Sequence, residues 1–189
     1  MNETNKRLNV LSIEDLKHYQ TIPIIKNVHT IRNYQDLENF NTKQVLPYTI
    51  DLNEEDVMSW KKIINFDQSK IFGVEIDNHL VAGAIIITNS SEVNMLKIVP
   101  NSACLWDIRV EKAYQGKGLG KLLFNACVAF AKAQGKSSII IETQNNNVDA
   151  IKFYESLGAK LYKINYNHYD DLDEDQLLFL YHLGGHHGV

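Results

Sequence analysis

A glycine-rich hexapeptide, Gln115-Gly116-Lys117-Gly118-Leu119-Gly120, is the stretch of this sequence best suited to bind a ligand. It follows an apolar run at 103–110 and opens an amphipathic run at 119–133, a pattern that predicts a strand, a turn and the start of a helix. The first turn of a helix leaves N–H groups unpaired and carries the positive end of the helix dipole. Glycines let a phosphate approach that backbone closely. The hexapeptide therefore predicts an anion site.

The spacing of these glycines separates the site from two common phosphate-binding loops. The sequence lacks the Gly-x4-Gly-Lys-Ser/Thr of P-loop proteins, and its turn is not the Gly-x-Gly-x-x-Gly of dinucleotide folds. Preceded by Asp107-Ile-Arg-Val110, the pattern Gln-x-x-Gly-x-Gly instead resembles the acetyl-CoA signature of the GNAT family of N-acetyltransferases. In that family the backbone of this turn wraps the pyrophosphate of CoA.

A second motif downstream resembles the same family. The stretch Asn147-Val-Asp-Ala150-Ile-Lys-Phe153-Tyr154-Glu-Ser-Leu-Gly158 matches the family pattern Asn-x-x-Ala-x-x-Phe-Tyr-x-x-x-Gly, and it follows an apolar run at 138–142. The resemblance implies one GNAT domain over 1–189, with an acetyl-CoA core at 103–158 and an acceptor-side part at 1–50. The implied fold class is α/β (α+β), a mixed central sheet of about six to seven strands flanked by helices, with splayed central strands.

The resemblance also implies how acetyl-CoA is held. The turn from Gln115 to Gly120 binds the pyrophosphate mainly through backbone N–H groups, Lys117 adds charge, and Gly118 and Gly120 supply access. The backbone at 108–110 pairs with the pantetheine arm and directs an N–H at the thioester carbonyl. The expected cofactor-binding residues are Ile108, Arg109, Val110, Gln115, Gly116, Lys117, Gly118, Leu119, Gly120, Asn147 and Tyr154. Asn147 fits equally well as the N-cap of the next helix.

Tyr154 matches the general acid of the family. A phenol with a pKa of about 10 can protonate a thiolate whose conjugate acid has a pKa of about 8.5 when the two groups are held together. The alternative for Tyr154 is a core aromatic beside Phe153. The two motifs identify a proton donor, Tyr154, and do not identify a proton acceptor.

Two carboxylates are candidates for the base, Asp107 first and Glu142 second, each directly or through a water. Both lie near strand ends that should face the cleft between the splayed strands. Alternation along 103–110 groups Asp107 with Leu105 and Arg109 on one face. The opposite face, by the same alternation, carries Cys104, Trp106, Ile108 and Val110. A purely structural carboxylate at either place is the alternative.

The acceptor is suggested by a finer resemblance. The stretch Glu142-Thr-Gln-Asn-Asn-Asn147, with Asp107-Ile108 upstream and an aromatic strand near 178–181, is similar to the streptothricin acetyltransferases, which acetylate an amine of that cationic antibiotic. Trp106 departs from them where they carry an acid, and Arg109 replaces a small residue. The implied acceptor is a primary amine of a small cationic molecule, with antibiotic resistance as the role. Protein or peptide N-acetylation and a non-catalytic acetyl-CoA-binding regulatory domain are the alternatives.

Composition limits the remaining function classes. Lys plus Arg at 19 against Asp plus Glu at 23 gives 19 − 23 = −4, which offers no electrostatic case for a nucleic-acid partner. Two cysteines, Cys104 and Cys127, lie in apolar runs and are expected to be buried thiols. No metal-ligand spacing, membrane-spanning run or signal peptide is visible. A cytoplasmic monomer or homodimer is expected.

Hydrophobic period and turn residues predict the other elements. The expected strands are 8–13, 48–52, 71–76, 80–88, 103–110, 138–142, 160–165 and 176–181. The expected helical segments are 12–16, 34–40, 54–64, 119–133 and 148–157. Asn53 is expected to cap the helix at 54–64, whose first turn holds Glu54, Glu55 and Asp56. The loop before the last strand, expected to be solvated, carries Asp170, Asp171, Asp173, Glu174 and Asp175.

Overall fold

The computed structural model of the chain describes residues 5–53, 56–169 and 174–184. Its strands are β1 (Lys6–Leu11), β2 (Ile25–Tyr34), β3 (Phe40–Asp51), β4 (Ser69–Ile76), β5 (His79–Ile87), β6 (Ser102–Val110), β7 (Ser138–Gln144), β8 (Lys160–Asn165) and β9 (Gln176–His182). Its α-helices are α1 (Leu16–Tyr19), α2 (Met95–Ile98), α3 (Leu119–Ala133) and α4 (Val148–Ser156). Short 3-10 turns cover Ile13–Asp15, Val57–Lys62, Phe66–Gln68 and Lys112–Tyr114.

Seven strands form one sheet in the order β1-β4-β5-β6-β7-β9-β8, and β2 pairs with β3 in a separate hairpin. Within the large sheet β6 and β7 are parallel, and the other neighbouring pairs are antiparallel. A parallel pair needs a crossover connection, and the amphipathic helix α3 supplies it. The predicted mixed sheet of six to seven strands flanked by helices is confirmed.

Apolar side chains cover both faces of the large sheet. The α3-side core includes Phe124 and Ile151, and the α1-side core includes Tyr19 and Trp60; all four are buried. Strand β7 alternates between the two cores, which explains its continuous run of isoleucines. Full burial of one such side chain stabilises the fold by roughly 2 kcal/mol.

The two central strands separate part-way along their length. The β6–β7 ladder runs from Ser102–Ser138 to Leu105–Ile141 and ends there. Beyond that point β6 continues to Val110 beside β5, while β7 continues to Gln144 beside β9. The expected splay is therefore present, and it leaves one edge of β6 open from Trp106 onward.

A β-bulge at Trp106 changes the phase of β6. Leu105 pairs with Ile86 and Asp107 with Ile85, so two consecutive residues of β5 face three of β6. Downstream of the bulge Ile108 packs on the α3-side core, as Leu105 does upstream of it. The predicted strict alternation was wrong for this reason: Ile108 and Val110 share a side with Leu105, and Asp107 and Arg109 share a side with Cys104 and Trp106.

The helix predicted at 34–40 was wrong. Tyr34 ends β2, Phe40 begins β3, and a tight turn joins the two strands. The Asp36 carboxylate accepts hydrogen bonds from the backbone N–H groups of Glu38 and Asn39, both at 2.8 Å. This side-chain-to-backbone bonding competes with helix formation and favours a turn.

The helix predicted at 54–64 is, in its described part, a 3-10 helix over Val57–Lys62 and therefore shorter and tighter than expected. Its N-cap is Asp56, whose carboxylate accepts from the Met58 N–H at 3.0 Å. Asn53 has another task, because its side-chain oxygen accepts from the Ile24 N–H at 2.8 Å and ties the start of β2 in place. Glu54 and Glu55 lie outside the described residues.

The predicted hairpin at 71–88 and the predicted solvation of the acidic loop before the last strand had different outcomes. The β4–β5 hairpin is confirmed, with positive φ at Asp77 (51°) and Asn78 (65°), the conformation of a two-residue hairpin turn. Two acids of the loop before the last strand depart from the expected solvation: Glu174 is buried and accepts from the Asn146 amide, and Asp175 accepts from the Asn145 amide. The remaining acids, Asp170, Asp171 and Asp173, lie outside the described residues.

Candidate functional site

A cleft of about 700 Å³ opens where β6 and β7 separate. Its walls come from the glycine turn, the end of β6, the first turns of α4 and the strand β2 of the hairpin. The cofactor-binding residues predicted from the sequence that line it are Ile108, Arg109, Val110, Gln115, Gly116, Gly118, Leu119, Gly120, Asn147 and Tyr154. The cleft thus brings two motifs separated in sequence to one space.

The glycine turn has the backbone that only glycine adopts readily. Gly116 has φ of 73° and Gly118 has φ of 80°, and no heavy atom lies within 4 Å of the position that a Cβ would take at either residue. Gly118 is also the N-cap of α3. The turn therefore presents open space directly in front of a helix N-terminus, where N–H groups and the helix dipole favour an anion.

Gly120 has a different reason to be glycine. A Cβ there would lie 3.1 Å from the Phe153 ring, so the missing side chain lets α4 pack closely on the start of α3. This packing contact is a second reason for the third glycine, which also lines the cleft as the prediction of ligand access requires.

Gln115 and Lys117 have contacts that the motif did not predict. The Gln115 side-chain amide donates to the Val110 carbonyl oxygen at 3.0 Å and ties the turn to the end of β6. Lys117 does not line the cleft; its Nζ lies 4.9 Å from the centre of the Tyr114 ring. The cleft instead carries Lys112 and Lys121, two lysines that the motif did not single out.

Tyr154 lines the cleft and is also part of the α3-side core. It is 6% exposed, and its ring contacts Phe153 and Phe179 at centroid distances of 5.5 and 6.2 Å. Burial raises the pKa of the phenol, and the negative charge of Asp107 raises it further. The two alternatives for this residue coincide in one position: a packed aromatic whose hydroxyl keeps its proton beside the cleft.

Asn147 also combines its two alternatives. Its side-chain oxygen accepts from the Ala150 N–H at 3.4 Å, which makes it the N-cap of α4, and the residue lines the cleft.

Asp107 is engaged by its neighbours. One carboxylate oxygen accepts from the Tyr19 hydroxyl at 2.5 Å and from Arg109 Nε at 2.7 Å, and the side chain is 14% exposed. The Arg109 guanidinium lies 4.8 Å from the centre of the Tyr19 ring and 3.4 Å from the Ile22 carbonyl oxygen. Asp107 does not line the cleft, although Arg109 does. The negative charge of Asp107 is compensated by the positive charge of Arg109, two residues further along the strand.

Glu142 has a different environment on the neighbouring strand. Its carboxylate accepts from the Tyr169 hydroxyl at 2.9 Å, and within residues 5–53, 56–169 and 174–184 no cation forms an ion pair with it. Burial raises the pKa of Tyr169, and the charge of Glu142 raises it further. Glu142 does not line the cleft either; it lies on the α1 side of the sheet, next to the end of the β6–β7 ladder.

Strand β2 supplies cleft residues that the sequence did not identify, among them Lys26 and His29. A bidentate ion pair holds this strand to α4: Arg32 donates to both carboxylate oxygens of Glu155, at 2.6 and 3.1 Å. The only signal in the sequence was the alternation of polar residues with Val28 in a run bounded by Pro23. No motif covers this run, so its contribution to the cleft emerges only from the fold.

Comparison with known proteins matches residues 31–159 to the family described as the acetyltransferase (GNAT) family. The chain is 32% identical over 84 residues to the ribosomal protein bS18-alanine N-acetyltransferase of Escherichia coli strain K12, a match that covers 43% of this chain and 57% of that protein. The chain therefore spans little more than half the length of the curated relatives it matches first.

Two solved structures share the fold over nearly the whole chain. One is a Bacillus anthracis str. Ames protein assigned as a streptothricin acetyltransferase and solved in complex with acetyl coenzyme A, with a TM-score of 0.74, 24% identity and coverage of 94% of this chain and 99% of that one. The other is a nourseothricin acetyltransferase, with a TM-score of 0.75, 18% identity and coverage of 95% and 99%. Among residues 5–53, 56–169 and 174–184, no helix has the length and apolar character needed to cross a membrane.

Proposed function

The chain belongs to the acetyltransferase (GNAT) family, and on that premise we propose that it is an acetyl-CoA-dependent N-acetyltransferase whose acceptor is a primary amine of a small cationic molecule. One observation carries the proposal: the glycine turn, the open end of β6 and the Tyr154 side chain share a single cleft. A pyrophosphate site, an edge that can pair with an amide-rich arm and a proton donor are the parts that this reaction needs.

The protein's groups divide the work along the cleft. The backbone from Gly116 to Leu119 and the positive end of α3 hold the pyrophosphate. Beyond the end of the β6–β7 ladder, strand β6 offers N–H and C=O groups to the pantetheine arm, as an added strand would use them. Bound acetyl-CoA supplies the activated acetyl group as a thioester. Tyr154 would supply the proton that the departing sulfur of CoA takes up when the acetyl group is transferred to the amine.

Glu142 is the acceptor-side carboxylate in this proposal. It accepts one hydrogen bond from Tyr169 and has no cation paired with it in the described ranges. A cationic amine that approaches from the α1 side can pair with it and release a proton there. Asp107, the first candidate from the sequence, is less suited because Tyr19 and Arg109 already occupy it.

A second acceptor, the N-terminal amine of a protein, is favoured by the identity to the ribosomal protein bS18-alanine N-acetyltransferase. The two acceptors differ in what surrounds the amine, since a peptide extends the ligand by several residues and a small cation does not.

The test is CoA release from acetyl-CoA in a panel of amines, read by thiol detection and confirmed by product mass. The panel contains streptothricin, polyamines, aminoglycosides and alanine-starting peptides. Turnover of a small cation with a KM that rises with salt supports the proposal. Turnover of peptides alone assigns the second acceptor, and tight acetyl-CoA binding without turnover of any amine identifies a non-catalytic binding domain.

A further inference from the structure

Lys26 is the buried lysine of the cleft wall. Its side chain is 9% exposed, it lies on β2, and it lines the same cleft as Tyr154 and the glycine turn. The family match begins at residue 31, so the resemblance assigns Lys26 no role.

The partners of this ammonium are neutral. Lys26 Nζ donates to the side-chain oxygen of Asn146 at 2.8 Å and to that of Gln144 at 3.5 Å. Both amides are fixed in this orientation, because the Asn146 nitrogen donates to Glu174 and the Gln144 nitrogen donates to the Tyr169 hydroxyl. Two amide dipoles therefore point their negative ends at one cation.

The compensation of this charge is incomplete. No carboxylate lies within ion-pair distance of Lys26 in the described ranges, and the nearest acid of the network, Glu174, acts across Asn146. An ammonium carries three N–H donors, and residues 5–53, 56–169 and 174–184 accept from two of them, one at the limit of hydrogen-bond length. A buried cation with a spare donor costs free energy unless something else accepts from it. The open side of Lys26 is the cleft.

Resting on the proposed function, we infer that Lys26 is a ligand-binding residue, whose ammonium donates to a carbonyl or carboxylate oxygen of a molecule in the cleft. Two sources carry such an oxygen: the amides and thioester of acetyl-CoA, and the acceptor. Lys26 thereby adds to the binding site a residue that lies outside the matched part of the family.

The test compares Lys26→Met with the parent protein. Methionine keeps the length of the apolar stem and removes the charge and the donors. Calorimetry with acetyl-CoA and the KM of the best amine from the panel measure the two sources separately, and Lys17→Met, an exposed residue of α1 outside the cleft, is the matched control. Thermal unfolding is recorded for each protein, and binding is measured well below its melting temperature.

The expected result is about a tenfold weaker Kd for acetyl-CoA or a tenfold higher KM for the acceptor, with partial recovery in Lys26→Arg and no change in Lys17→Met. Loss of Kd assigns the cofactor as the source of the oxygen, and loss of KM assigns the acceptor. Changes below twofold in both quantities overturn the inference and leave Lys26 as a group that only fastens β2. If the parent itself binds no acetyl-CoA, the proposed function fails and this inference fails with it, an outcome distinct from the previous one.

Discussion

The glycine turn is the smallest unit of the site, and its role in binding acetyl-CoA can be tested by substituting a single residue, Gly118. Gly118 has a left-handed backbone that Asn and Asp tolerate better than other side chains. Gly118→Asp and Gly118→Asn add nearly the same volume, and only the first adds negative charge. We expect Gly118→Asp to weaken acetyl-CoA binding by roughly 100-fold and Gly118→Asn by a few-fold, because the charge faces the pyrophosphate site. Calorimetry measures both, and equal losses would attribute the effect to volume alone.

Tyr154 allows a similarly narrow change. Tyr154→Phe keeps the ring contacts with Phe153 and Phe179 and removes only the proton. Turnover is expected to fall by about 100-fold or more while the Kd for acetyl-CoA stays the same. Tyr181→Phe is the control, since Tyr181 packs on Phe124 and does not line the cleft. Near-normal turnover in an assay limited by chemistry would return Tyr154 to a packing role.

The two carboxylates should respond in opposite ways. Asp107→Asn removes the carboxylate that pairs with the buried Arg109 cation and is expected to lower the free energy of unfolding by about 3 kcal/mol. Glu142→Gln removes a carboxylate that no cation neutralises in the described ranges, so it should leave stability nearly unchanged and raise the KM of a cationic amine. Urea unfolding and initial rates separate the two. A stable Asp107→Asn whose pH–rate profile has lost its acidic limb, the limb on which a general base becomes protonated, would restore Asp107 as the base.

At the scale of elements, α1 packs closely on β5 because Gly83 of β5 has no side chain. A Cβ on Gly83 would lie 2.3 Å from the Tyr19 ring, the same ring that supports Arg109. Gly83→Ala should cost about 1–3 kcal/mol through overpacking, and a smaller side chain in the double variant with Tyr19→Leu should recover part of it. Thermal unfolding of the single and double variants measures the coupling. Full additivity would mean that the two residues do not touch.

Some of these elements were predictable from the sequence and others were not. The order around the cleft was predictable, because α3 and β7 have strong hydrophobic periods and the two motifs carry fixed spacings. The errors lie where local polar bonds decide the outcome. Asp36 closes a turn in what looked like a helix, and Asp56 rather than Asn53 caps the short turn at 57–62. A periodic pattern gives no information about such side-chain-to-backbone bonds.

The candidate site was also predictable only in part. Its motif residues come together at the cleft, since each belongs to an element whose type the sequence indicates. Lys26 was missed because its importance depends on Asn146, which is distant in sequence and meets it only in the fold. Glu174 was misread as a solvated acid for the same reason.

For the whole molecule, burial of the two thiols predicts how stability depends on pH. Burial raises the pKa of Cys127 to about 12, and burial together with the charge of Glu142 raises the pKa of Cys104. Both groups keep their protons in the folded protein at pH values where the unfolded chain has lost them. Their contribution is complete below the unfolded pKa of about 8.5 and is lost as pH rises above it.

The free energy of unfolding should therefore decrease from about pH 8.5 upward, measured by urea titration at several pH values. Ellman's reagent should not react with either thiol in the native protein and should react with both in guanidinium chloride. A native protein that reacts readily would contradict the burial of the cysteines.

The extra residue at Trp106 has a consequence for anyone who compares this chain with a relative. Without it, Leu105 and Asp107 would be consecutive partners of Ile86 and Ile85, and β6 would be a regular ladder. The bulge therefore acts as a one-residue insertion, and it shifts which face of the sheet each following side chain of the strand occupies. An ungapped alignment with a strand that lacks the insertion would equate Asp107 with the counterpart of Ile108, which packs on the α3 side, and would transfer the role of a partly buried isoleucine to a carboxylate. Roles can be copied along this strand only after a gap is opened at Trp106.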